Sequence, residues 1–262
     1  MRLPAAKKEL GQHFLVDQNI LGVIGRLAEL AREDVVLEVG PGHGVLTGFL
    51  ADRVAHVHAV ELDRSLEGPL AERLAGRGNV QLHYGDALRL DLRSLDPAPT
   101  KLVSNLPYNI ATPLVVESLD GLPSLALWCV MVQREVADRF FAEPSTKAYG
   151  AVSVVVQLAA ERTGSHPVSR AVFRPRPNVD SALVAFRRRP DATIEDLARV
   201  KSVVTAAFAH RRKRLANSLE LSGLATRPEA EAALAEIGRD PKARAEELAP
   251  TEFVALTESL AR

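Results

Sequence analysis

From residue 35 to 133 the chain repeats one pattern: a short run of β-branched and other apolar residues, a turn, then a stretch with apolar positions three and four apart. The runs VVLEV (35–39), HVHAVE (56–61), VQLHY (80–84), KLVSN (101–105) and ALWCVMV (126–132) predict strands. VLTGFLADRV, RSLEGPLAERLA and TPLVVESLDG between them predict helices. Such alternation predicts an α/β fold, a parallel sheet with helices on both faces whose ligands lie beyond the carboxyl ends of the strands. REVADRFFAE continues as a helix that stops at Pro144. YGAVSVVVQLAA leaves two readings open, strand by its β-branched content and buried helix by its length. SALVAFRRR (181–189) predicts a strand, and Pro190-Asp191 a boundary. Beyond it IEDLARVKSVVTAAFAHRRKRLANSLEL, PEAEAALAEIG and PTEFVALTESLA carry helical periodicity alone. Two domains are therefore expected, residues 1–190 and a small all-helical domain of residues 191–262.

Composition changes this picture little. The 262 residues are 47% hydrophobic, and 33 Lys plus Arg balance 33 Asp plus Glu. The balance hides clustering: basic residues gather at Lys7-Lys8, at Arg170, Arg174 and Arg176, at Arg187 to Arg189 and at Arg211 to Arg214. Four such clusters hint at a polyanion surface. The last is expected on a helix and to touch RNA if RNA is the substrate. The lone Cys129 excludes a disulfide framework and clustered-cysteine metal sites, and LALWCVMV makes it a core residue. His56 and His58 share a strand face but lack a third ligand, so no metal is expected. No run suits a signal peptide or a membrane span, so a cytoplasmic location without membrane contact is expected.

Candidate chemistry begins at EVGPGHGVLT (38–47), which places Gly40, Gly42 and Gly44 between a strand and a helix. Glycines there let a ligand lie against the main chain, where a helix start offers free N–H groups. The next strand ends in VELD, putting Glu61 where nucleotide-binding folds hold ribose hydroxyls, and YGDAL puts Asp86 at the same edge, in reach of an adenine amine. Together they describe an adenosine-containing cofactor, a dinucleotide or S-adenosylmethionine.

The fourth strand end, SNLPYNIATP (104–113), separates these two. An exocyclic amine is a poor nucleophile because its lone pair is delocalised into the ring. The Asn105 side-chain carbonyl and the Leu106 or Pro107 main-chain carbonyl can accept its two N–H bonds and aim that lone pair. Pro107 stiffens the loop and Tyr108 offers a stacking face. Catalysis of methyl transfer from S-adenosylmethionine would then be mostly positioning. Taken alone, Pro107 could simply end a strand with Tyr108 packed at its edge; beside Gly40, Glu61 and Asp86 the catalytic reading is favoured.

Ten segments in order carry a family resemblance: GQHFLVD (11–17), EVGPGHGVLT, VELD, GDAL, NLPYNIATPL, QREVADR (133–139), KAYGAVSV (147–154), FRPRPNVDSA (173–182), AFAHRRKRLANSL (207–219) and PKARAEEL (241–248). Over essentially its whole length the chain resembles the ribosomal RNA adenine N6-dimethyltransferases, and within them the bacterial small-subunit branch. The resemblance implies a Rossmann-like class I S-adenosylmethionine methyltransferase sheet with a C-terminal helical RNA-binding domain. It implies cofactor contacts from His13, Leu15, Gly40, Gly42, Glu61, Asp86 and Asn105. Asn105, Leu106, Pro107 and Tyr108 would handle the amine, Phe173 would stack on a flipped adenine, and Arg174, Arg211, Arg212, Lys213 and Arg214 would touch RNA. The implied substrate is a pair of adjacent adenines in the 3′-terminal hairpin loop of small-subunit (16S) rRNA, dimethylated by a monomer during ribosome biogenesis. This chain has His13 where many of the family have Asn, and its expected role is mainly positional. Macrolide-resistance relatives that methylate large-subunit (23S) rRNA share FxPxP but lack NIATPL and KAYG. They are the alternative enzyme, and a non-catalytic assembly or transcription factor on this scaffold is the alternative class.

Overall fold

The computed structural model describes residues 7, 10–192, 194–210 and 212–261. A two-residue strand β1 (Phe14–Leu15) and helix α1 (Asn19–Leu27) precede the repeating region. There β2 (Val35–Val39), α2 (Val45–Ala51), β3 (His56–Glu61), α3 (Glu67–Arg73), β4 (Val80–Tyr84), β5 (Lys101–Asn105), α4 (Ala111–Gly121) and β6 (Leu127–Gln133) follow the predicted alternation. All five residues of β2 are buried, as expected of a strand covered on both faces.

After α5 (Arg134–Phe140) and α6 (Ala151–Ala159) come β7 (Ala160–Val168), the short β8 (Phe173–Arg174) and β9 (Ser181–Arg188). Among the described residues a seven-stranded sheet has the order β4-β3-β2-β5-β6-β9-β7. The pairs from β4 to β6 are parallel, whereas β9 runs antiparallel to β6 with Ser181 opposite Gln133. The parallel strands expected of the alternating region are thus present, and β9, whose direction the sequence left open, makes the sheet mixed. Strand order reverses at β2, with β3 on one side and β5 on the other. Such a switch opens a crevice at the carboxyl ends of the two diverging strands.

One face of this sheet packs Ile24, Leu50, Val57, Val103, Cys129 and Leu183 into a shared core. Burial pushes the Cys129 thiol up to about 12, which keeps it protonated. Fully buried Trp128 stacks on Phe186 with ring centroids 5.4 Å apart, and its Nε1–H donates to Ser118 Oγ at 2.8 Å.

Contacts divide the chain into two units, Met1–Ala137 with Arg162–Arg188, and Asp138–Glu161 with Arg189–Arg262. Asp138–Glu161 therefore groups with the C-terminal helices α7 (Ile194–Phe208), α8 (Leu215–Leu221), α9 (Arg227–Glu236) and α10 (Pro250–Leu260). The stretch with two open readings is helix over α6, because Val154, Val155 and Val156 find buried positions and burial overrides their weak helix preference. Chain direction then changes to extended at Ala160. In this second unit Phe208 packs between Tyr149 and Phe253, at 6.1 and 5.8 Å, and the Tyr149 hydroxyl donates to the Leu248 carbonyl at 2.8 Å. The α9 start is specified locally: Thr226 and Glu229 exchange hydrogen bonds in a capping box.

The helix expected through Arg211 to Arg214 is interrupted. α7 ends at Phe208, and Arg214 is extended ahead of α8. Ser218 Oγ ties the turn, accepting from the His210 N–H and donating to the Ala206 carbonyl, while the Leu215 N–H is drawn to the Ala243 carbonyl. Arg212, Lys213 and Arg214 consequently project from an exposed turn, and Arg211 lies outside the described residues.

Candidate active site

The crevice at the switch point is walled by the two loops that leave β2 and β5. A cavity there is lined by Gly11 to Leu15, Glu38, Gly40 to His43, Val45, Leu46, Glu61 and Asn105 to Tyr108. The first loop is shaped by absent side chains. Gly40, Gly42 and Gly44 have φ of 76°, 56° and 72°, in the region that favours glycine. A Cβ on Gly42 would sit 2.7 Å from the Phe14 ring, and one on Gly40 would sit 3.1 Å from Pro107. The turn therefore fits only because β1 and the second loop can press against bare backbone.

Glu61 is buried at the end of β3 and holds that turn. Its carboxylate accepts from the Gly42 N–H at 3.1 Å and from the Asp63 N–H at 2.8 Å. Burial raises its pKa, against the pull of these two bonds. Both oxygens retain a lone pair for another donor. Asp63 secures the N-terminal segment, accepting from Lys7 Nζ at 2.6 Å and Gln12 Nε2 at 3.1 Å. Burial opposes its charge, but the Lys7, Ser65 and Gln12 donors outweigh it and hold the carboxyl well below its usual range.

In the second loop the Asn105 Nδ2–H donates to the His13 carbonyl at 3.0 Å, which leaves its Oδ1 as an acceptor. Leu106 is anchored through its N–H to the Met131 carbonyl, and the Pro107 carbonyl accepts from the Ile110 N–H. The Tyr108 hydroxyl lies 2.7 Å from Ser181 Oγ, and its ring lies 5.4 Å from that of His13. Burial raises the Tyr108 pKa, so it stays a neutral phenol.

The structure thus brings His13, Leu15, Gly40, Gly42, Glu61, Asn105, Leu106, Pro107 and Tyr108 to one cavity. Asp86 sits just past β4, whose Tyr84 pairs with Glu61, but it does not line the cavity and its side chain accepts from the Leu88 N–H. Phe173 departs from its expected place. Its ring is fully buried in the core that includes Leu15 and Leu183, with its backbone paired to Leu15, so it presents no face to a base. Arg174 beside it is exposed, with Nη1 donating to the Phe173 carbonyl.

Four residues at or beside the site carry no site signal that the sequence pattern singled out. Ser181 is supplied by the reversed strand β9, Lys7 and Gln12 by the N-terminal segment, and Glu38 by the interior of β2. The signal for Glu38 was present, as one carboxyl in an otherwise apolar run of five. Burial pushes it up to about 8, with the Thr47 hydroxyl opposing and Glu61 adding, and its Oε2 has no hydrogen-bond partner among the described residues. A cavity with two carboxyls and no Lys or Arg among its lining residues fits a cationic ligand. It does not suit the pyrophosphate of a dinucleotide, whereas S-adenosylmethionine brings a sulfonium and an ammonium.

A model of the family described as ribosomal RNA adenine dimethylase matches residues 4–262. The chain is 51% identical over 255 residues to the ribosomal RNA small subunit methyltransferase A of Rubrobacter xylanophilus, covering 97% of this chain and 95% of that protein. To the protein of the same name from Lactiplantibacillus plantarum it is 44% identical over 266 residues, covering 97% and 90%. Among solved structures, a dimethyladenosine transferase from Plasmodium falciparum superposes with a TM-score of 0.75 at 22% identity, covering 93% of this chain and 96% of that one, a likeness of fold. The 23S rRNA methyltransferase ErmE superposes with a TM-score of 0.67 at 30% identity, covering 95% and 100%.

Proposed function

The chain belongs to the ribosomal RNA adenine dimethylase family, and on that premise we propose that it transfers methyl groups from S-adenosylmethionine to the N6 amines of two adjacent adenines in the 3′-terminal hairpin loop of small-subunit rRNA. The small-subunit assignment follows the relatives at 51% and 44% identity, against 30% for the large-subunit enzyme. The observation that carries the chemistry is a cavity acidic on its cofactor side and open to an amine at Asn105. A monomer working in the cytoplasm, where ribosomal RNA is found, completes this reading. Among the described residues no helix is long and apolar enough to cross a membrane.

When bound, S-adenosylmethionine supplies a methyl group on positively charged sulfur. The Gly40 to Gly42 turn would wall its binding site, Glu61 would accept hydrogen bonds from its ribose hydroxyls with the remaining lone pairs, and Asp86, at the neighbouring strand end, would flank its adenine. Glu38, protonated while the cavity is empty, would release its proton to solvent and meet the positive charge. Asn105 Oδ1 and the Leu106 carbonyl accept the two N–H bonds of the target amine and turn its lone pair toward the reacting carbon. Tyr108 stacks on the extruded base, a role Phe173 cannot take while enclosed in the core. The proton shed by the nitrogen passes to solvent, so the residues act by positioning. Arg174, Arg212, Lys213 and Arg214, with Arg211, would hold surrounding RNA.

Labelled S-adenosylmethionine supplied with immature small subunits and, separately, with naked large-subunit RNA tests the assignment. Label at two adjacent small-subunit adenines is expected. Label confined to large-subunit RNA would overturn it.

A further inference from the structure

At the opposite edge of the parallel strands, where β2 and β3 begin, α1 and α2 frame a second concavity. It is lined by Gly22, Gly25, Arg26, Leu30, Ala31, Arg32, Phe49 and Arg53. Three guanidiniums line it and no carboxylate does. The floor depends on the missing side chain at Gly25, because a Cβ there would lie 3.1 Å from the Phe49 ring. Arg53 sits over that ring, its Cζ 3.7 Å from the centroid, while its Nη1 donates to the Phe49 carbonyl. Arg32 is held by the Asp52 carbonyl at 3.1 Å. Both anchors are neutral carbonyls, so these charges are oriented without being cancelled. The nearby acids are otherwise engaged: Asp52 pairs with Arg77, Glu29 with Arg187 and buried Asp34 with Lys101, leaving exposed Glu33 as the remaining carboxylate on the loop.

We propose that this groove is a second RNA contact, gripping phosphodiester backbone with Arg26, Arg32 and Arg53 while the open face of the Arg53 guanidinium stacks a base. Planar guanidinium groups suit both tasks, bidentate phosphate recognition and stacking. The groove lies on the strand edge away from the methyl-transfer cavity, so it holds RNA that is not being methylated. It rests on the reading of the chain as an RNA enzyme and extends the substrate footprint around the first unit.

The test compares the parent with Arg26→Gln/Arg32→Gln and with Arg26→Gln/Arg32→Gln/Arg53→Gln, thermal melts showing whether Arg53 is needed for folding. Fluorescence anisotropy measures affinity for the 3′ domain of small-subunit rRNA over a salt series, and methyl transfer is measured in parallel. Each lost phosphate contact should lower the slope of log affinity against log salt by about 0.7 to 0.9. Apparent KM for RNA should rise about tenfold with kcat unchanged. An unchanged slope and unchanged RNA affinity in folded variants would overturn the proposal. Because affinity is read directly, the groove is judged even if the parent methylates no small-subunit RNA, which would count against the enzymatic reading alone.

Discussion

The two loops that wall the cavity do opposite things with side chains. The turn after β2 works by omission: three glycines at positive φ let Phe14 and Pro107 close upon bare backbone. The loop after β5 works by commitment, with the Asn105 amide, the Leu106 N–H and the Tyr108 hydroxyl each fixed to a partner from elsewhere in the chain. A binding surface shaped by backbone tolerates no addition, whereas a reacting surface shaped by side chains tolerates no removal.

Asn105→Ala should break the second loop most severely. Losing one acceptor for the amine and the tie to His13 is expected to lower kcat by about 100-fold or more, with S-adenosylmethionine affinity by calorimetry changed far less; substantial turnover would sink the proposed site. Gly42→Ala tests the first loop. Left-handed backbone costs a non-glycine residue roughly 1 to 2 kcal/mol, and Phe14 must also move, so cofactor affinity and thermal stability should fall together. A variant with parent-like melting and binding would show that omission is not what shapes the turn.

Ser181→Ala sharpens the contrast. It removes a single partner of Tyr108, a loss of about 1 kcal/mol or roughly fivefold in kcat, and Ser181→Thr should restore it if the hydroxyl positions the ring. At Glu38 the expected effect is on stability rather than turnover, and it follows pH. Its folded pKa of about 8 lies above the ordinary carboxyl value of 4.5, so its contribution to stability is full below about 4.5 and is lost as pH rises through 8. Without ligand, the parent should lose melting temperature across that window relative to Glu38→Gln. Parallel curves for the two would mean that Glu38 is charged and partnered.

Much of this was legible because local pattern and tertiary role coincide. Strands β2 to β5 and the Gly40, Glu61, Asn105 and Tyr108 positions follow from periodicity and from where each run stops. Strand β7 was not legible: Ala160–Val168 mixes polar residues with Gly164 and Pro167, and its place at the sheet edge rather than an alternating face makes it extended. Helix α6 hid behind β-branched residues that only tertiary burial reconciles with helix. The reversed direction of β9 leaves no trace in its own apolar run, so neither Ser181 beneath Tyr108 nor the burial of Phe173 was foreseeable. The basic turn at Arg212 to Arg214 looked helical because the bonds that break it, through Ser218 and Ala243, come from later residues.

A strand that runs backward delivers its first residue, not its last, to the working edge. Tyr108 therefore acquires its hydroxyl partner from a point 73 residues further along the chain. During synthesis the turn after β2 and the loop after β5 can take shape from the parallel strands, while β1, which lines the same cavity, still lacks its partner β8 and the phenol its partner on β9. Both sides of the cavity are completed only when β8 and β9 have emerged, so the site closes late in synthesis.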